Sequence, residues 1–134
     1  MRIIAHGIDL VDCRRIEAML DKHGQHFLDR VFTQAEQAYA GRGRNRVERL
    51  AVRFAAKEAV FKLVGTGWRD RMAWTDIEVV NDPMGRPSVH LSGQVRRAAD
   101  RMGIVQISIS LTHTADLAIA SVVALGNSHE DQGI

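Results

Sequence analysis

The chain has a single cysteine, Cys13, so no intrachain disulfide can form. A reducing, cytoplasmic location is the expectation that follows. Aromatic residues are scarce, at 5%, and the arginine-rich stretch described below has only Phe54 beside it. A single-stranded nucleic-acid binder needs more stacking surface than that. No apolar run is long enough to cross a bilayer. The opening residues, Met1-Arg2-Ile3-Ile4-Ala5-His6-Gly7, lack the apolar core and small-residue cleavage site of a signal peptide. The lone cysteine has no partner for a zinc site. Internal repeats and low-complexity stretches are also missing.

What remains is one ordinary domain. Its 134 residues suffice to close a hydrophobic core, and 46% hydrophobic with 25% charged residues is usual for a globular chain. The domain is expected over residues 1–125, with a loose polar tail over 126–134. The formal net charge is only +2, but Arg42, Arg44, Arg46, Arg49 and Arg53 crowd together around one acid, Glu48. That cluster suits an anionic ligand or partner; the plainer alternative is a solvated face.

Ile3 to Val11 reads as a strand. Asp12 can cap a helix from Cys13 to about His23. Thr33 and Glu36 stand at capping-box spacing before a short helix. After the loop Gly41 to Asn45, a long helix is expected from Arg46 to Val64, ended by Gly65. Thr75 to Asn81 and Ser88 to Leu91 form a hairpin around the turn Asp82 to Pro87. Ser92 can cap a helix to Met102. Ile104 to Leu111 alternates as a strand, with Val105, Ile107, Ile109 and Leu111 on one side. Thr112 to Asp116 is a turn, and Leu117 to Leu125 a last strand. The order predicts an α+β fold, an antiparallel sheet packed against a long helix and shorter ones.

The long helix carries the clearest chemical signal. Val47, Leu50, Ala51, Phe54, Ala55 and Phe61 form an apolar stripe, and Glu58 projects into it with Lys62 one turn on. A carboxylate there is costly unless it is paired or binds a metal. An i,i+4 pair with Lys62 is the bland explanation. Asp9, near the end of the first strand, is a second carboxylate, with strand-end capping as its bland role. Together they could hold a hard cation such as magnesium, completed by phosphates and waters. Gly65-Thr66-Gly67 would let a ligand approach the backbone closely, or simply ends the helix.

These segments resemble the holo-acyl-carrier-protein synthases, the small single-domain branch of the 4′-phosphopantetheinyl transferases. Three blocks carry the likeness: Gly7-Ile8-Asp9-Leu10, then Arg53-Phe54-Ala55-Ala56-Lys57-Glu58-Ala59 through Lys62 to Gly65-Thr66-Gly67, then Ser108-Ile109-Ser110-Leu111-Thr112-His113-Thr114. The resemblance implies Asp9 and Glu58 as magnesium ligands and Lys62 beside the reacting phosphate. It implies Arg53, Lys62, Gly65, Thr66, Gly67 and His113 against coenzyme A, the substrate. It places Arg15 and Met19 at the docking face for acyl carrier protein, and it implies a homotrimer with sites between subunits, serving fatty acid biosynthesis. Neither nucleic acid nor membrane is an expected partner. A basic RNA-binding domain, a two-carboxylate phosphohydrolase and a non-catalytic trimeric scaffold are the rival readings.

Overall fold

The computed structural model describes residues 1–65 and 71–127. Thr66 and Gly67, both expected to border coenzyme A, lie outside the described residues.

Strand β1 (Arg2–Asp12) runs directly into helix α1 (Cys13–His23). Asp12 caps that helix, its side chain accepting from the Arg14 amide. Helices α2 (Gln25–Val31), α3 (Gln34–Ala40) and α4 (Arg46–Val64) follow. The capping box at the start of α3 is complete in both directions. Gly65 closes α4 in the left-handed conformation, with φ 73°. The last elements are β2 (Ile77–Asn81), β3 (Pro87–Leu91), α5 (Gly93–Arg101), β4 (Ile104–His113) and β5 (Leu117–Gly126). All strand pairs are antiparallel, in a three-stranded sheet of order β1-β5-β4 and a separate β2-β3 hairpin.

Several expectations need correction. Helix α2 was not expected; Gly24 reads as the end of α1, yet the chain turns there at φ 51° and winds on. The stretch from Thr75 begins as a short 3-10 turn, Trp74–Asp76, before the strand. Val105 is 66% exposed, because a register shift between Ile104 and Gln106 puts Ile104 on the inner face instead. His113 ends β4 and does not sit in the turn beyond it. The Asn127 amide bonds the Gly103 carbonyl.

Helix α4 is the centre of the fold and packs on β1 and β5. From Leu50 to Val64 every residue except Glu58 and Lys62 is buried. The apolar stripe is therefore nearly a full cylinder, and the two charged residues mark its one open edge. Small residues make the close packing possible: Ala118, Ala120 and Ala124 of β5 face the helix, fully buried. Gly7 of β1 goes further. A Cβ built there would stand 2.3 Å from the Ala59 carbonyl oxygen, so the helix backbone lies directly on the strand.

Two further contacts lock α4 to the rest. Trp74 stacks on Phe54 at 4.9 Å between centroids and meets Phe61 edge-on at 5.2 Å. Lys57, wholly buried, pairs with Glu36 at 2.8 Å and donates to the Trp74 and Ile77 carbonyls. Glu36 also accepts from the Thr33 and Val79 amides. The buried pair thus ties α3, α4 and β2 together with its hydrogen-bonding capacity filled, as a buried charge requires. No helix among the described residues is long and apolar enough to cross a membrane.

On the side away from α4, the three-stranded sheet is uncovered. His6, Ile8 and Leu10 of β1 point outward, Ile8 and Leu10 at 61% and 56% exposure. Cross-strand register aligns them with Val123, Ser121 and Ile119 of β5 and with Ser108, Ser110 and Thr112 of β4.

Candidate active site

Asp9 lies opposite Ala120 on the inner face of β1, two residues beyond the Gly7 contact. The flush packing there brings the open edge of α4 against it. Lys62 Nζ reaches Asp9 Oδ1 at 2.7 Å and the Ile8 carbonyl at 3.2 Å. Asp9 is thus paired with a lysine from the helix, a contact not expected from the sequence, and this bond raises the proton affinity of Lys62. Asp9 itself is only 14% exposed.

Glu58 is half-buried one turn before Lys62. Its carboxyl holds a proton more tightly than usual, mainly because burial desolvates it and next because Asp9 repels its charge; Arg15 and Lys62 offset part of this. Two carboxylates that repel each other, one of them desolvated, form a donor set that suits a hard dication. Among the described residues no group of three histidine, cysteine or acidic side chains gathers as a metal cluster. Any such ion would complete its shell with substrate oxygens and water.

Arg15 projects from α1 toward the same edge, its guanidinium 5.1 Å from the Phe54 ring centroid. Met19 lies one turn further and is half-buried. Arg14 is engaged elsewhere, bonding Asp12 through Nε and Nη2.

Arg53 belongs to a different place. It lines an open cleft of about 420 Å³ together with Tyr39, Arg49, Asn81, Gly85 and His113. Only 3% exposed, Arg53 donates to the Arg49 carbonyl at 3.1 Å and to Asn81 Oδ1, and stands 4.3 Å from the Tyr39 ring. Its Nε is buried without a hydrogen-bond partner. Burial lowers its proton affinity, with Glu36 and Tyr39 opposing. The guanidinium, beside Arg49, gives the cleft a positively charged wall. Asp82 shapes the rim by accepting from the Met84 and Arg86 amides at 2.9 and 2.8 Å. Asn81 Nδ2 bonds the Gly85 carbonyl at 3.1 Å.

The site residues therefore fall into two groups. Asp9, Glu58 and Lys62 meet, with Arg15 and Gly65 near them; Arg53 and His113 meet in the cleft. Five residues along a helix turn its face by about 140°, so Arg53 and Glu58 look to different sides of α4. Sequence reasoning missed Asn81, Tyr39 and the buried Glu36–Lys57 pair. The run Asp82 to Pro87 gave a turn signal but no hint that its backbone frames a basic cleft.

A profile of the 4′-phosphopantetheinyl transferase superfamily matches residues 5–121. The holo-[acyl-carrier-protein] synthase of Solibacter usitatus is 43% identical over 121 residues, covering 90% of this chain and 97% of that protein. That of Chloroflexus aggregans is 46% identical over 133 residues, with 91% and 95% covered. The crystal structure of the Neisseria meningitidis synthase superposes with a TM-score of 0.82 at 34% identity, over 92% of this chain and 98% of that one. The Bacillus anthracis enzyme, solved in complex with CoA (3′,5′-ADP), gives 0.74 at 37% identity, over 92% and 97%. The chain belongs to the 4′-phosphopantetheinyl transferase superfamily.

Proposed function

We propose that this enzyme transfers the 4′-phosphopantetheine group of coenzyme A to a serine of apo-acyl carrier protein, releasing adenosine 3′,5′-bisphosphate. The observation that carries this reading is the Asp9–Glu58–Lys62 cluster at the open edge of α4, with a separate basic cleft on the helix's other side. Coenzyme A has two anionic regions, a pyrophosphate and a 3′-phosphate, and the two loci match them.

Asp9 and Glu58 would hold magnesium, which when bound supplies positive charge to the pyrophosphate oxygens. Lys62 leaves its pairing with Asp9 to meet the leaving phosphate and steady its charge. The carrier's serine hydroxyl attacks the phosphorus that bears the pantetheine arm. The bond to the adenosine phosphate breaks, and Asp9 or Glu58 takes the serine proton directly or through a water. Arg53, Arg49 and His113 bind the other anionic end of coenzyme A. Gly65, with Thr66 and Gly67, borders the same substrate by resemblance. Arg15 and Met19 of α1 dock the acidic carrier beside the reacting atoms.

The two loci face apart on one chain, so one substrate bridges them most simply across neighbouring copies. The uncovered sheet face supports a homotrimer built that way, since exposed apolar patches mark association sites. A cytoplasmic location, a role in fatty acid biosynthesis and a loose tail over 126–134 complete the reading.

Incubation with coenzyme A, magnesium and apo-acyl carrier protein, followed by mass spectrometry of the carrier, tests it. The carrier should gain one phosphopantetheine. Free phosphopantetheine released without any carrier would instead mark a hydrolase.

A further inference from the structure

Lys62 has two competing partners in the reading above, Asp9 and a phosphate of coenzyme A. Its bond to the first is well made. Nζ lies 2.7 Å from Asp9 Oδ1 and 3.2 Å from the Ile8 carbonyl, so two acceptors on one strand hold the ammonium. The Lys62 side chain is 57% exposed and that of Asp9 14%, so the lysine can swing into solvent while the carboxylate stays in place. Glu58, the other carboxylate of the site, precedes Lys62 by one helical turn and is half-buried. A dication entering between the carboxylates either takes the ammonium's place at Oδ1 or sits beside it against like-charge repulsion. In both cases the metal and Lys62 compete for Asp9.

We infer that Lys62 is a latch on the metal site: bonded to Asp9 it keeps the dication out, and an incoming phosphate of coenzyme A draws it off, so that metal and coenzyme A bind cooperatively. This rests on the reading that the site takes magnesium and coenzyme A. The phosphate that removes the ammonium also offers oxygens to the metal's shell. Such coupling is reciprocal, so the metal tightens coenzyme A by the same factor as coenzyme A tightens the metal. Arg15 supplies the contrast. Its charge acts on Glu58 more strongly than that of Lys62 does, whereas the bond to Asp9 is made by Lys62. A latch belongs to the bonded lysine alone; plain repulsion of a dication belongs to both cations.

Manganese, a paramagnetic stand-in for magnesium, gives a readout independent of turnover. Free manganese is counted by electron paramagnetic resonance in titrations of wild type, Lys62→Met and Arg15→Met. Each is titrated without and with saturating coenzyme A, in the absence of carrier, and circular dichroism checks each fold. Without coenzyme A, Lys62→Met should bind manganese roughly tenfold more tightly than wild type, the worth of one charge-assisted hydrogen bond. Arg15→Met should stay within about threefold of wild type. Coenzyme A should tighten manganese in the wild type by a factor roughly tenfold larger than in Lys62→Met, because the variant has no latch to release. Unchanged manganese affinity in Lys62→Met overturns the inference. An equal gain in Arg15→Met also overturns it, in favour of repulsion alone. Failure of all three proteins to bind manganese, with or without coenzyme A, ends the metal reading and the latch with it. Should Lys62→Met gain affinity while coenzyme A binds to none of them, the exclusion of metal by Lys62 stands and the reading of coenzyme A as substrate fails.

Discussion

Gly7→Ala is a one-carbon change that tests how the active site is assembled. The added Cβ would stand 2.3 Å from the Ala59 carbonyl oxygen, 3.2 Å from its carbon and 3.3 Å from Val122 Cγ2. To bring the first contact even to 3.0 Å, strand and helix must part by at least about 0.7 Å. The obstacle is backbone, which cannot rotate away as a side-chain tip would. Overpacking of this kind costs about 1–3 kcal/mol, partly offset by about 0.5–1 kcal/mol from removing a glycine within a strand. Activity should suffer more. Asp9 lies two residues past the contact and Glu58 one residue before Ala59, so the displacement acts on the spacing between the carboxylates. Misplacement approaching 1 Å costs on the order of 100-fold in rate. The assay is carrier modification by mass spectrometry, beside urea unfolding and circular dichroism. The variant should fold, lose modest stability and lose about 10- to 100-fold in kcat/KM. Truncating the opposing side chain, Ala59→Gly, should rescue nothing, because the clash is with the carbonyl. Near wild-type stability and turnover, or rescue by Ala59→Gly, would refute the reasoning.

Other outcomes follow from the same geometry. Asp9→Asn and Glu58→Gln should fold yet lose most activity, and near-normal turnover of either in excess EDTA would sink the magnesium assignment. Glu58 holds its proton more tightly folded than unfolded, so its ionised form costs stability at neutral pH. Metal-free Glu58→Gln should therefore melt above wild type at neutral pH, and the gap should close as pH falls through the raised value; a gap that widens on acidification contradicts this. Lys57→Met strands the Glu36 carboxylate in the core and should cost about 3–5 kcal/mol in urea unfolding, with part regained on adding Glu36→Gln. A cost below about 1 kcal/mol would show the pair to be dispensable. Mixing inactive Lys62→Ala with inactive His113→Ala chains should restore some activity; a monomer by light scattering, fully active when dilute, ends the idea of shared sites. Arg15→Glu should raise the carrier KM strongly while that for coenzyme A hardly moves, and an equal change in both argues against docking on α1.

Local signals were read correctly because they act locally. Asp12, the Thr33–Glu36 box and Gly65 each satisfy or end a helix within a few residues, and α1, α3 and α4 begin and stop where those signals stand. Helix α2 has no such marker: it starts at Gly24 without a side-chain cap. Val105 alternates properly in sequence, but a bulge is a property of the pair of strands and inverted its side. Glu58 and Lys62 drew attention as charges on an apolar helix, and Asp9 was paired with Glu58 as a possible cation site, but the bond between Lys62 and Asp9 was not foreseen, because it joins residues far apart in sequence. The cleft was illegible because its walls come from α3, α4, the β2–β3 hairpin and β4, and no short window contains them. Lys57 was passed over for the same reason, since Glu36, which makes its burial tolerable, lies on another helix.

The contact at Gly7 bears on how freely this protein can change. Most helix–sheet distances depend on the bulk of interleaved side chains, so each core substitution moves them a little. Here a strand lies directly against a helix carbonyl with nothing between, and the separation is a fixed stop. Exchanges such as Val60→Ile or Val122→Ile can shift stability while the gap across which Asp9 faces Glu58 stays constant. The core is then free to drift in sequence, and the chemistry drifts only if that one glycine does.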